Sequence, residues 1–448
     1  MRKLFGTDGI RGKANQFPMT PELALKLGKA IAINFANDHY AKVVIGKDTR
    51  LSGYMLETAL TSGLVSMGAQ VFLVGPMPTP AISHLTRSLN ADAGIVISAS
   101  HNPAEDNGIK IFDSQGYKLS DETEQKIELL IFSKEMEEGS LNGKEIGKAF
   151  RINDARGRYN EFAKNSINNN SLSGLNIVVD CANGAAYKLA PHIFSELGAD
   201  VTAINNSPNG LNINLNCGAT HLKSLSEKVI EIKADLGIAL DGDADRLIIV
   251  DSNGEEINGD KIMAVLALNL KEKGKLSKNT VVATIMSNTG FEKHLSENGI
   301  TVIRAKVGDR YVIEEMKNNS YNFGGEQSGH IIFGDYSTTG DGIITALQLL
   351  NLVKEKNQSV SEHCNDFKLF PQVLVNIDVA EKKPLEQLPK VLEKIKETKQ
   401  ALGQNGRVLV RYSGTENIVR IMVEGQNEAE IKEMADSIAN SLAKEVGK

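Results

Sequence analysis

Residues 97–110 read ISASHNPAEDNGIK and gather several reactive side chains within a few positions. Ser98, Ser100, His101, Asn102 and Pro103 come directly behind the apolar run AGIVI at 93–97, which reads as a buried strand. A hydroxyl delivered there is a nucleophile if a neighbour takes its proton or stabilises its charge; otherwise it belongs to a polar loop. No GxSxG elbow surrounds Ser100, so esterase chemistry is not indicated.

A second stretch, DGDADR at 241–246, lies between the apolar runs LGIAL (236–240) and LIIV (247–250). Asp241, Asp243 and Asp245 alternate with Gly and Ala, so the three carboxylates can converge on one side of an extended loop. Hard oxygens of this kind suit Mg2+ or Mn2+, and three ligands leave positions open for a phosphate oxygen. It is not an EF-hand: Arg246 stands where the sharp-turn glycine belongs, and Ser252 where the bidentate Glu belongs. A solvated acidic hairpin is the competing reading. The flanking apolar strands argue against it, because three unneutralised carboxylates at a core edge repel one another.

Two further loops could recognise a ligand. In GGEQSGH (324–330), Glu326 and Ser328 alternate with their neighbours and can face one ligand; vicinal hydroxyls would suit them. In RYSGTENIVR (411–420), Ser413, Gly414 and Thr415 offer hydroxyls and backbone N–H groups for an anion nest. Arg411 and Arg420 flank that turn and can grip a phosphate bidentately; a β-turn with an Arg–Glu416 pair fits equally well. The opening LFGTDGIRG (4–12) suits a tight loop near an anion or a plain turn, and VGDR (307–310) a second contact or a turn.

These loops need elements to position them. Thr20-Pro21-Glu22 predicts a helix start, and Ser120-Asp121-Glu122 predicts another, running to about Lys134. Short apolar strands are expected at 43–45, 71–74, 176–180, 200–204 and 281–285, with a helix around 56–67. Pro76, Pro78 and Pro80 predict an extended connection. Strands alternating with helices argue for parallel α/β sheets. Three times a short strand ends in a small polar loop and enters a helix, at 43–50, 176–184 and 281–290, so three related α/β domains are expected. The tail differs: strands at 372–378, 407–410 and 418–423, with helices at 385–398 and 428–446, make a smaller α+β domain. The expected domains are 1–155 with the serine loop, 156–255 with the acidic loop, 256–369 with the GEQSG loop, and 370–448.

Composition narrows the partners. A net charge of −6, scattered basic residues and no Trp give no reason to expect nucleic acid. Three widely spaced cysteines make neither a disulfide framework nor a zinc pattern. The start has two basic residues but no apolar core behind them, so no signal peptide is expected. No run reaches the ~18 apolar residues of a membrane span. A reducing cytoplasmic setting is expected.

The order of serine loop, Asp-rich loop, GEQSGH and SGTE closely resembles the α-D-phosphohexomutase superfamily, over essentially the whole chain. The resemblance implies three related α/β domains and a smaller C-terminal domain around a central cleft. It implies that Ser100 is a phosphoserine that donates and accepts phosphate, and that Asp241, Asp243 and Asp245, with Ser100, hold one Mg2+. Glu326 and Ser328 match the sugar-hydroxyl contacts. Arg411, Ser413, Gly414, Thr415 and Arg420 match the distal phosphate clamp. Arg11 matches a substrate contact near the reacting phosphate, and His101, Lys110, Arg246 and His330 match catalytic positions there. Gln327 points to the glucosamine branch, since relatives acting on glucose or mannose phosphates usually carry Met at that place. The implied intermediate and activator is glucosamine-1,6-bisphosphate, the partner is a small phosphosugar, and the working form is a monomer or homodimer. Tyr412 and Asn417 depart from the family, which usually has proline at both places.

Three other readings stay open: a phosphoglucomutase or phosphomannomutase on the same scaffold, a non-catalytic phosphosugar sensor, and a serine phosphatase. The sensor would need neither nucleophile nor metal triad. The phosphatase would release phosphate to water.

Overall fold

Each apolar run named above becomes a strand. In the computed structural model, which describes residues 4–6, 8–36, 39–133, 141–364, 367–403, 405–413 and 417–447, the strands assemble into four sheets. The first sheet runs Ile10–Lys13, Asp106–Asp113, Ala93–Ile97, Lys42–Lys47, Gln70–Pro76, Ala149–Arg151. The second runs Glu256–Ile257, Leu247–Asp251, Leu236–Leu240, Asn176–Asp180, Asp200–Ile204. The third runs Thr301–Ala305, Thr280–Thr284, Phe323–Gly325, Ile331–Phe333. The fourth, Gln372–Asp378, Ile418–Gly425, Gly406–Tyr412, is antiparallel throughout.

The first three sheets are mixed, not purely parallel as the strand–helix alternation suggested. Asp106–Asp113 returns antiparallel to Ala93–Ile97, Leu247–Asp251 to Leu236–Leu240, and Ile331–Phe333 to Phe323–Gly325. Short connections allow only antiparallel pairing, because a parallel return needs a crossover of a dozen residues or more. The serine, aspartate and GEQSG loops are therefore the tips of three hairpins. They are closed by the pairs Ile97–Ile109, Leu240–Leu247 and Gly325–Ile331.

Two helix starts behave as their sequences predict. Thr20 and Ser120 each accept a hydrogen bond from the backbone three residues on, and Pro21 begins its helix. The second helix is described as Asp121–Ile131; Lys134 lies outside the described residues. The proline-rich stretch is a correction. Pro80 does not extend the chain but sits in the first turn of a helix, Thr79–Ser88, where its missing N–H costs nothing.

By contacts, Met1–Met286 with Val302–Cys364 form one compact unit and Ser287–Thr301 with Asn365–Lys448 form another. In the second unit, helix Thr289–Glu297 joins the C-terminal residues. Thr289 N–H donates to buried Glu424, and Asn288 exchanges hydrogen bonds with Phe370. No described helix is long and apolar enough to cross a membrane.

Helices Pro21–Phe35 and Ser52–Ser66 cover the first sheet and meet backbone to backbone. A Cβ added at Gly63 would come 2.1 Å from the Leu25 carbonyl oxygen. Gly63→Ala is therefore expected to lower stability by about 2 kcal/mol, within the roughly 1–3 kcal/mol typical of overpacking. Urea unfolding checks this as a lower midpoint at unchanged slope.

Candidate active site

Ser100 sits at the tip of the first hairpin and is 1% exposed. Its backbone is left-handed, with φ of 50°, a conformation a serine keeps only when its surroundings impose it. Its Oγ donates to Asp241 Oδ2 at 2.6 Å and lies 3.3 Å from His101 Nδ1. Burial pushes the His101 imidazole down, and the cations of Arg246 and Arg11 push it further, to about 4. His101 is thus neutral at physiological pH and able to accept a proton.

Asp241, Asp243 and Asp245 offer oxygens that all lie within 4.8 Å of one another, and all three residues are buried. Burial pushes the Asp241 carboxyl well up, reinforced by Asp245 and Asp243. Asp243 goes the other way: burial pushes it up, but Lys110 and the hydrogen bonds from Thr79 and Lys110 bring it below its usual range. Thr79 Oγ1 donates to Asp243 Oδ2 at 2.6 Å. Lys110 Nζ donates to that same oxygen at 2.9 Å and to Asp245 Oδ2 at 3.3 Å. Asp243 Oδ1 and Asp245 Oδ1, by contrast, are buried and have no hydrogen-bond partner among the described residues. Such orphaned oxygens are costly unless something else satisfies them. Two of them beside Asp241 fit a hard divalent cation.

Lys110 is fully buried. Burial opposes its charge, yet Asp243, Asp8 and Asp245 raise it well above the usual lysine value. It is held as a cation, equipped to neutralise charge. A cavity of about 430 Å³ opens beside Ser100, lined by Arg11, His101, Arg246, Glu326 and His330 among others. Arg11 Nε and Arg246 Nε are buried donors without a hydrogen-bond acceptor among the described residues. Arg246 Nε stands 4.0 Å from Asp245 Oδ1, an ion pair without a hydrogen bond, which leaves both atoms able to turn to a ligand with anionic oxygens and a metal.

The GEQSG tip borders a neighbouring cavity of about 520 Å³, with Glu326, Gln327 and Ser328 in its wall alongside His101 and Arg246. The turn is tight: Gly329 has φ of 87°, and an added Cβ would lie 2.1 Å from the Leu247 carbonyl oxygen. Gly308 N–H donates to Glu326 Oε1 at 3.1 Å, fixing that carboxylate. His330 is 3% exposed, accepts from Gly340 N–H at 3.3 Å, and stands 3.5 Å from Asp309. Of VGDR, Val307, Gly308 and Asp309 line the cavity beside Ser100, whereas Arg310 binds Asp121 and the Leu119 carbonyl.

In the second unit, Arg411 and Arg420 are exposed and lie directly opposite each other on paired strands. Ser413 is buried, and its N–H closes the loop onto the Ile418 carbonyl at 2.9 Å. Tyr412 donates its hydroxyl to the Lys383 carbonyl. Gly414 and Thr415 lie outside the described residues.

The sequence reading passed over several side chains of the first unit. Thr79 was hidden by the misread prolines. Arg50 and Asn214, which bind the serine loop, come from loops remote in sequence. Lys118 bridges Asp8 and Asp309. For Arg50 the available signal was the polar run KDTR behind the apolar stretch 43–45.

Comparison with known proteins identifies the family. Family models for the four phosphoglucomutase/phosphomannomutase domains match residues 2–138 (domain I), 157–254 (domain II), 258–370 (domain III) and 374–441 (C-terminal domain). A phosphoglucosamine mutase of Syntrophotalea carbinolica is 52% identical over 449 residues, covering 100% of this chain and 98% of its own. In structure, the chain resembles a phosphoglucomutase/phosphomannomutase family protein of Burkholderia thailandensis, with a TM-score of 0.80 at 23% identity, covering 98% of this chain and 97% of that one. An Aspergillus fumigatus N-acetylphosphoglucosamine mutase, solved with GlcNAc-6P and magnesium, gives 0.66 at 18% identity, covering 99% and 96%. With all four domain models matched in order and a full-length relative above half identity, the chain belongs to the phosphoglucomutase/phosphomannomutase family, the α-D-phosphohexomutases.

Proposed function

We infer that the chain interconverts glucosamine-6-phosphate and glucosamine-1-phosphate through a phosphoserine at Ser100 and a glucosamine-1,6-bisphosphate intermediate. Such turnover would feed amino-sugar nucleotide and cell-wall precursor synthesis. The observation that carries the chemistry is Ser100 Oγ bonded to Asp241 inside a buried aspartate cluster that keeps two unsatisfied oxygens. The observation that carries the sugar is the full-length identity with relatives named phosphoglucosamine mutase.

The steps follow from the side chains. The phosphoryl group leaves Ser100 Oγ for a sugar hydroxyl: the Oγ–P bond breaks and the sugar O–P bond forms. The hydroxyl proton goes to a base, for which His101 and His330 are our candidates. Lys110, as a fixed cation, and Arg246 stabilise charge on the transferring group. The bisphosphate then turns over, and Ser100 takes back the phosphate from the other end. Glu326 and Ser328 hold sugar hydroxyls, and Arg11, Arg411, Ser413, Gly414, Thr415 and Arg420 are assigned to phosphate. One Mg2+ would be held by Asp241, Asp243, Asp245 and Ser100, where it would neutralise a phosphoserine and make its phosphorus more electrophilic. The choice of magnesium is supported by the hard oxygen donors and by the fungal relative solved with that ion.

We keep domain boundaries at 1–155, 156–255, 256–369 and 370–448, a division supported by the order of the four family matches. A cytoplasmic setting and a monomer or homodimer complete the proposal. The cytoplasmic setting is supported by three free buried cysteines.

The test is turnover of glucosamine-6-phosphate, glucose-6-phosphate and mannose-6-phosphate with Mg2+ and a trace of sugar bisphosphate. We expect kcat/KM to favour the amino sugar by about 10-fold or more, the scale of one well-used polar contact. Preference for another sugar would overturn the sugar assignment but keep the mechanism. Net phosphate release would mark a phosphatase, and binding without turnover a sensor.

A further inference from the structure

We propose that Arg50 and Asn214 together form a positioning clamp that fixes where Ser100 Oγ stands relative to the aspartates. This rests on the reading of Ser100 as the phosphoryl carrier.

Arg50 is wholly buried, and every N–H of its guanidinium has an acceptor. Nη2 donates to the Ser100 carbonyl at 3.0 Å and the Asn102 carbonyl at 2.8 Å. Nη1 donates to the Asp106 carbonyl at 3.0 Å and to that of Pro103. Nε pairs with Asp48 at 2.8 Å. Asp48 also accepts from Ser98 Oγ at 2.6 Å, and Ser98 Oγ in turn accepts from Ser100 N–H at 3.0 Å. Both backbone polar groups of Ser100 are thereby tied to one buried ion pair.

Asn214 comes from the other side. Its Nδ2 donates to the same two carbonyls, Ser100 at 2.8 Å and Asn102 at 3.0 Å. It is wedged against the aspartate tip: a Cβ added at Gly242 would lie 2.5 Å from the Ser100 carbonyl oxygen and 2.9 Å from Asn214 Nδ2. Two donors from two domains thus converge on the carbonyls of a loop whose serine is left-handed. Releasing either lets that backbone relax and carries Oγ away from Asp241. Neither side chain lines the cavities beside Ser100, so both act through the loop and not on the substrate.

The experiment compares the parent, Asn214→Ala, Arg50→Lys and the double variant for kcat, KM and urea midpoint on the best substrate of the panel. A misplacement of about 1 Å costs on the order of 100-fold in rate, so Arg50→Lys is expected near that loss in kcat, and Asn214→Ala near 30-fold. KM should stay within about threefold in both, because a loss confined to kcat removes only transition-state stabilisation. The double variant should fall no more than about threefold below Arg50→Lys, since both groups act on the same carbonyls.

A purely structural role predicts a lower urea midpoint with kcat preserved, and that result overturns the proposal. Multiplying losses in the double variant would also overturn it. Should Arg50→Lys not fold, Asn214→Ala decides alone on kcat at fixed KM. Intact mass of the parent after incubation with sugar bisphosphate separates the two readings. A parent that takes no phosphate on Ser100 refutes the carrier assignment itself; a phosphorylated parent with fully active variants refutes only the clamp.

Discussion

Ser100→Ala is expected to remove turnover by about 10⁴-fold or more, as deletion of a nucleophile does, and to leave the fold in place. The fold survives because the hairpin does not depend on the hydroxyl. Its backbone is held through the Ser100 N–H and carbonyl, which the substitution keeps. What disappears is the 2.6 Å bond to Asp241 and the oxygen proposed to carry the phosphoryl group between visits of the sugar. Intact mass of the parent should show one added phosphate after incubation with bisphosphate, and the variant none. Full turnover in the variant would sink the assignment of Ser100.

Removing the metal is expected to do comparable damage. Chelation should abolish activity and Mg2+ restore it. Asp243→Asn should lower kcat by about 10³-fold, because the lost charge weakens both metal binding and the Lys110 contact. A readout independent of activity is thermal unfolding: Mg2+ should raise Tm in the parent and much less in Asp243→Asn. The pH trend has a definite sign. Burial and the neighbouring carboxylates raise Asp241 above its unfolded value. Without a cation, the folded chain therefore holds that proton more tightly than the unfolded chain. Its stability declines as pH climbs from the usual carboxylate range through the raised value. A cation needs the ionised form, so the Mg2+-induced rise in Tm should grow with pH. A Tm shift that ignored pH, or that persisted unchanged in Asp243→Asn, would count against the site.

Much of this site could be read from residue order because its chemistry is local. Asp241, Asp243 and Asp245 sit in one loop between two apolar runs, and neither fact needs a tertiary contact to be seen. The strands Ala93–Ile97, Asn176–Asp180, Asp200–Ile204 and Gln372–Asp378 fall on the residues expected, because short apolar or alternating runs between polar loops leave little choice. Strand direction was another matter. Asp106–Asp113 reads DNGIKIFD, and its buried Asn107 and Lys110 break the apolar pattern that would have marked it as the return arm of a hairpin. Thr79–Ser88 was missed because proline was read as a breaker where it opens a helix. Arg50 and Asn214 were illegible for a different reason: their meaning lies in carbonyls 50 and 114 residues away.

The hairpin construction also bears on how such a catalyst can diversify. Strand side chains alternate, so one residue gained or lost within an arm turns an inward row outward and wrecks the sheet. Changes confined to a tip leave the arms undisturbed. Under the proposed assignment of the sugar to Glu326–Ser328, preference for one sugar over another would drift through that tip while the serine and aspartate tips remain as they are. The scaffold separates what is transferred from what receives it, and new substrates can be tried without rebuilding the engine.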